Sequence, residues 1–217
     1  MALSPNLTET SDYIDERVYS IMWDDRYSAE DYAFGKQPND FLAEVAASLP
    51  KGGRVLCIAE GEGRNAVYLA EQGYQVLAVD SSAVGLNKAK QLAAERGVSI
   101  ETQVADLAEF AIEENAWDGV VSIFCHLPPP VRKALHTKLV MGLRSGGVLV
   151  LESYTPRQLE FKTGGPPVAD LMMTLAELRE ELAGLEFRHA QEIDREVVEG
   201  LFHTGMGAVV QLIAAKP

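Results

Sequence analysis

Two carboxylates and two glycines carry the first chemical signal in the chain. Glu60, Gly61 and Gly63 lie between an apolar run, Val55-Leu56-Cys57-Ile58, and an amphipathic segment opening at Arg64-Asn65-Ala66. A strand that turns through glycines into a helix presents backbone N–H groups with no Cβ in the way, so a ligand can approach closely. Past that helix, the run Gln75-Val76-Leu77-Ala78-Val79 ends on Asp80, where a carboxylate can accept two hydrogen bonds from a ribose diol. Farther on, Ile100-Glu101-Thr102-Gln103-Val104 leads into Ala105-Asp106-Leu107, and an acid there can accept the exocyclic amine of adenine. Together these groups predict a nucleoside-containing cofactor held by Glu60, Gly61, Gly63, Asn65, Asp80, Ser81, Asp106, Leu107 and Phe124. The plain alternatives are a helix cap or turn for Asp80 and a turn after a strand for Asp106.

The loop Gly61-Glu62-Gly63-Arg64-Asn65-Ala66 also meets the loose dinucleotide pattern G-x-G-x-x-A. Glu60 argues against a pyrophosphate at this loop, which its charge would repel, and for the amino group of S-adenosylmethionine, which it would attract. The Tyr-x-x-x-Lys spacing of Tyr32 and Lys36 lies upstream of the glycines, where a hydride-transfer pair has no place.

The elements that must position these groups alternate. Strands are expected at 54–59, 75–79, 99–104, 118–124 and 147–152, with helices at 64–72, 83–96 and 130–143 between them. Such alternation implies parallel strands and right-handed crossovers. A helix from Asn39 or Asp40 to Leu49 precedes the first strand, and Thr174-Leu175-Ala176-Glu177 is a capping box opening another. The last two strands, about 186–198 and 206–215, have no helix between them and must pair antiparallel. The expected fold is α/β: a doubly wound, mostly parallel, seven-stranded, Rossmann-like sheet with an antiparallel C-terminal hairpin. A single domain, 1–217, divides into an N-terminal arm (1–36, polar and loosely ordered to about 20) and a core (37–217). The Pro/Gly-rich stretch 153–173 is expected to be a substrate lid.

The chain resembles the class I S-adenosylmethionine-dependent methyltransferases, and most of all the small bacterial group of tellurite-resistance and thiopurine methyltransferases. The resemblance runs from about Trp23 to Pro217 on an ordered set of motifs. These are Trp23-Asp24-Asp25-Arg26-Tyr27, Phe34-Gly35, Pro38-Asn39-Asp40-Phe41-Leu42, the Glu60 to Asn65 loop, Leu143-Arg144-Ser145-Gly146-Gly147, Leu151-Glu152 and Thr163-Gly164-Gly165-Pro166. It implies S-adenosylmethionine as cofactor, and an aromatic pair, Trp23 and Tyr27, that covers it; packing of the arm on the core is the plain alternative. Two positions depart from the family, which usually has an acid at Cys57 and glycine at Ala59.

On the acceptor side, His126 follows the fourth strand in Phe124-Cys125-His126-Leu127-Pro128-Pro129, and His203 lies near Glu199 in the final hairpin. Either can take a proton near neutral pH, and each has a structural alternative as a satisfied loop histidine. The Asn/Asp-Pro-Pro-aromatic motif of amino-group methylases is missing. The acceptor is therefore expected to be a small molecule with a sulfur, selenium, tellurium, oxygen or nitrogen nucleophile. A net charge of −13 over 217 residues argues against a nucleic-acid partner. No apolar run reaches membrane-spanning length, no metal-ligand spacing stands out, and Cys57 and Cys125 read as free thiols of a cytoplasmic protein. Two other classes remain open: a nicotinamide-dependent oxidoreductase and a non-catalytic S-adenosylmethionine-binding protein.

Overall fold

The computed structural model describes residues 16–217 apart from 201, with side chains from Met22 onward. Seven strands form one sheet in the order β3-β2-β1-β4-β5-β7-β6. They are β1 (Arg54–Ile58), β2 (Gln75–Asp80), β3 (Glu101–Val104), β4 (Trp117–Ile123), β5 (Leu143–Tyr154), β6 (Glu186–Glu199) and β7 (His203–Ala215). The first five run parallel, and β7 pairs antiparallel with both β5 and β6. Strand order reverses between β1 and β4, so the crevice at their carboxyl ends is the position where such sheets take ligands.

Helices α1 (Glu16–Tyr27), α2 (Asp40–Val45), α3 (Arg64–Glu71), α4 (Ala83–Glu95), α5 (Pro129–Gly142), α6 (Gln158–Phe161) and α7 (Leu175–Glu181) complete the fold. Their starts follow from local chemistry. The side chains of Asn39 and Ser82 accept from Leu42 N and Gly85 N, and the Thr174–Glu177 capping box closes in both directions. Leu56 and Ile58 fill one face of β1, while Val55 and Cys57 fill the other. Strands buried on both faces read as continuous apolar runs, as β1 does.

Several boundaries move. Helix α1 begins at Glu16, within the stretch expected to be loose; the rest of that stretch, 1–15, lies outside the described residues. The helix expected to reach Leu49 ends at Val45 and continues as a 3-10 turn, Ala46–Ser48. Strand β5 starts four residues early because Gly146, at φ +79°, turns the chain so that its N–H reaches the carbonyl of Lys216. The hairpin is longer than expected, its register running to Glu199 opposite His203. The lid stretch gives Ser153 and Tyr154 to β5 and is otherwise irregular apart from α6 and a 3-10 turn, Ala169–Leu171.

Gly63 owes its identity to packing. At φ +88° it would place a Cβ 2.5 Å from the Cβ of Ala89, so α3 approaches α4 only because position 63 has none. Packing therefore requires glycine at position 63 whether or not a ligand approaches the loop. Ala59, at φ +50°, occupies the left-handed region that favours glycine. Gly63→Ala should lower the unfolding free energy by about 1–3 kcal/mol through overpacking, whereas Ala59→Gly should not lower it. Urea denaturation of the two variants checks both signs.

Candidate functional site

Asp80 ends β2 and organises the glycine loop. Its Oδ2 accepts from Gly61 N at 2.8 Å and its Oδ1 from Ser82 N at 2.8 Å, leaving the remaining lone pairs for a ligand. Burial raises its pKa, opposed by those amides. Glu60 turns inward: Oε1 accepts from Asn65 N (3.0 Å) and Ala66 N (2.7 Å), satisfying two orphan donors of α3. Burial pushes the Glu60 carboxyl up to about 7 against the pull of those amides and Arg64, so its charge at neutral pH is partial.

Tyr27 lies over the loop. A Cβ on Gly61 would meet its Oη at 2.6 Å, and one on Gly85 its Cδ2 at 2.8 Å; the two glycines thus form a cradle for the phenol. Burial, then Asp80, raises the Tyr27 pKa well above its ordinary value. Trp23 stacks on Tyr27 with centroids 5.5 Å apart, so the two share a helix face as their spacing requires. Behind them, Lys88 pairs with Glu62 and donates to the carbonyls of Ala29 (2.9 Å) and Asp31 (2.8 Å), while Glu62 Oε2 accepts from Ala33 N. The arm is therefore fastened to the same loop that carries Gly61.

The other expected contacts divide. Ser81 stands half-buried beside Asp80. The Asp106 side chain accepts from Ala108 N at 2.9 Å, which is the turn role weighed against adenine recognition. Leu107 belongs to the buried core. The Asn65 side chain accepts from Asn39 N. Phe124, at φ +53°, places its ring 4.6 Å from Tyr154 and 4.8 Å from His203.

The two histidines separate clearly. His126 donates Nδ1–H to the carbonyl of Leu171 at 3.0 Å, and burial lowers its pKa to about 4. So weak a base is better described as a pin for the 3-10 turn of the lid. His203 sits against Phe34 (4.6 Å between centroids), Phe124 and Tyr154. Its pKa is lowered by burial and partly restored by Glu199, whose Oε2 is 3.9 Å from Nδ1.

A buried network escaped the sequence reading. Asn39 donates from Nδ2 to both Glu152 and Glu199 at 2.8 Å. Arg195 bridges the same two carboxylates, Arg64 donates to Glu199 Oε2 at 2.6 Å, and Gln211 donates to Glu152. Burial would raise the Glu199 pKa, but His203, Arg64 and Arg195 hold it down at about 2. Arg195 carried no signal in the sequence, and Asn39 stood there only as a possible helix start and within a motif.

Comparison with known proteins accounts for this arrangement. Residues 55–147 match the family model described as a methyltransferase domain. The structure superposes on that of Haemophilus influenzae TehB with a TM-score of 0.66 at 20% identity, covering 82% of this chain and 62% of that one. Residues 55–147 are thus matched as a methyltransferase domain, on a fold shared with class I methyltransferases. The cofactor of that class is S-adenosylmethionine, and the Asp80 carboxylate, which keeps lone pairs beyond those that accept from Gly61 and Ser82, suits its ribose. The chain is 37% identical over 123 residues to the Escherichia coli tRNA 5-carboxymethoxyuridine methyltransferase, covering 54% of this chain and 45% of that one. It is 28% identical over 138 residues to the 2-heptyl-1-hydroxyquinolin-4(1H)-one methyltransferase of Mycobacteroides abscessus, covering 62% and 61%. The chain thus spans less than two thirds of the length of these curated relatives.

Among the described residues, no group of three His, Cys, Asp or Glu side chains is arranged to hold a metal, and no helix is long and apolar enough to cross a membrane.

The raised Glu60 carboxyl has a sign that can be checked. Because the fold favours its protonated form, the associated stability is present below about pH 4.5 and is lost as pH rises toward 7. Over that interval the wild type should lose on the order of 3 kcal/mol more than Glu60→Gln. Urea unfolding of both proteins at the two pH values measures the difference; parallel profiles would contradict the assignment.

Proposed function

We propose that this chain transfers a methyl group from S-adenosylmethionine to a small-molecule acceptor. The observation that carries this reading is the juxtaposition of the Asp80–Gly61 cradle with the aromatic enclosure around His203, both at the carboxyl edge of the sheet. Bound beside Asp80, S-adenosylmethionine supplies a sulfonium-activated methyl group. Asp80 holds the ribose, Trp23 and Tyr27 cover the cofactor, and Glu60, Gly61, Gly63, Asn65, Ser81, Asp106, Leu107 and Phe124 form its surroundings.

The chain's remaining task is to align the acceptor and exclude water. Phe34, Phe124 and Tyr154 supply the dry walls, with the arm and the 155–173 segment closing over them. A thiolate, selenolate or reduced metalloid acceptor needs no base. An oxygen or nitrogen acceptor gives its proton to His203, whose imidazolium Glu199 stabilises. His126 positions the lid.

A small acceptor is favoured by the net charge of −13, which opposes binding to a polyanion, and by the likeness to a quinolone methyltransferase. The likeness to a tRNA methyltransferase favours a second reading, an RNA acceptor. Two free, buried thiols, Cys57 and Cys125, accord with a reducing cytoplasm.

Calorimetry with S-adenosylhomocysteine should give binding that falls tenfold or more in Asp80→Asn, because charge-assisted hydrogen bonds to the ribose are weakened. Unchanged affinity in the folded variant would remove Asp80 from the cofactor site. With methyl-labelled S-adenosylmethionine and a cell extract, label should appear in the organic-soluble fraction; label confined to precipitable RNA would establish the second reading.

A further inference from the structure

The network around Glu199 leaves two polar groups unanswered. Arg64 Nη1 is buried without a hydrogen-bond partner, although Nη2 of the same guanidinium is 2.6 Å from Glu199 Oε2. His203 Nδ1 is likewise buried without a hydrogen bond and lies 3.9 Å from the same Glu199 oxygen, too far to bond. Only 8% of either residue is exposed. A buried donor without an acceptor is destabilising, the more so when charged, and calls for an explanation, of which a ligand that supplies the missing atom is one. Both unanswered atoms flank one carboxylate oxygen at the acceptor edge.

The charges in the network define what that ligand must be. Glu152 and Glu199 are matched by Arg195 and Arg64, so the buried set is already neutral. Arg64 Nη1 lacks an acceptor although the charge of its guanidinium is matched, and a proton on His203 would add one positive charge to the neutral set, so together they call for an anion. Arg26 adds a further positive charge near His203, its guanidinium 4.9 Å from the centre of the Trp23 ring and 5.1 Å from that of Phe202. The neighbouring walls are flat and apolar: Phe34, Phe124 and Tyr154 surround the imidazole.

We infer that Arg64 Nη1 and His203 Nδ1 form a carboxylate-binding site, and that the methyl acceptor is a flat, aromatic carboxylate whose anionic group they receive. This rests on the methyl-transfer reading above and narrows its acceptor class. With such an acceptor His203 is protonated in the complex and donates, in place of the base role it takes toward an acceptor that arrives with its proton. An acceptor oxygen that arrives ionised needs no base. Transfer to it forms one carbon–oxygen bond and breaks the carbon–sulfur bond, whose electron pair stays on sulfur; no proton moves. The charged and titratable groups facing His203 are Glu199 across the hairpin, Arg64 from α3, Arg26 from α1, Tyr154 from β5 and His126 from the β4–α5 loop. The same carboxylate chemistry has one other source, the aminoacyl end of the cofactor.

The test uses benzoate and its neutral counterpart benzamide as probes, titrated by NMR into the full chain with and without saturating S-adenosylhomocysteine. Benzoate should bind at least tenfold more tightly than benzamide, and its affinity should fall as pH rises and His203 loses its proton. Arg64→Gln and His203→Gln should each abolish the preference, and Arg64→Lys should retain part of it. Equal affinity of the two probes for the wild-type protein overturns the site without requiring any variant to fold. A preference that survives in both folded glutamine variants overturns it as well. If Arg64→Gln weakens binding of S-adenosylhomocysteine but not of 5′-methylthioadenosine, which lacks the aminoacyl group, the carboxylate belongs to the cofactor and the acceptor assignment falls. Failure of the wild type to bind S-adenosylhomocysteine defeats the methyl-transfer reading, while the probe preference in the ligand-free protein still judges the anion site.

Discussion

Two carboxylates, Glu152 at 0% and Glu199 at 4% exposure, are held within reach of a single asparagine amide in the interior of this protein. They repel one another unless cations lie between them, and Arg195 and Arg64 supply those cations from β6 and α3. Buried ion pairs of this kind add little net stability, since desolvating the charges cancels most of their attraction. Removing one partner, however, strands a charge at a cost of about 3–5 kcal/mol. The network therefore acts chiefly by fixing positions. It joins the end of β5, the hairpin turn, the first turn of α3 and the cap of α2, four elements far apart in sequence, around the edge where ligands enter.

From that constraint the rest of the edge follows. With Glu199 fixed, His203 opposite it in the hairpin is set among Phe34, Phe124 and Tyr154. With Arg64 fixed, α3 begins where Glu60 can cap it and Gly63 can lie against Ala89. A second buried pair, Lys88 with Glu62, fastens the arm so that Tyr27 rests in the cradle of Gly61 and Gly85. Cofactor side and acceptor side are thus anchored separately, and both anchors pass through the loop between β1 and α3.

The sheet was legible in the sequence because alternation of apolar runs and amphipathic helices depends on local periodicity. Capping at Thr174 was equally local. Asp80 could be placed because it ends a strand after a glycine loop. The network was not legible, for its members are separated by up to 160 residues and each has an ordinary local explanation. Asn39 reads as a cap, and is one; that its amide also bridges two carboxylates depends on the tertiary fold. The packing reason for glycine at 63 was hidden for the same cause: it lies in α4, which the loop sequence does not mention. His126 was placed near the acceptor edge, but its commitment to Leu171 depends on how the irregular segment returns.

The claim that the Arg64–Glu199 contact joins the cofactor loop to the hairpin is tested most directly by a double-mutant cycle. Unfolding free energies would be measured for the wild type, Arg64→Met, Glu199→Leu and the double variant. Each single change should be strongly destabilising and the double change much less so than their sum, giving a coupling energy above about 2 kcal/mol. Additivity to within about 0.5 kcal/mol would contradict the account, for the two side chains would then be neighbours without being partners.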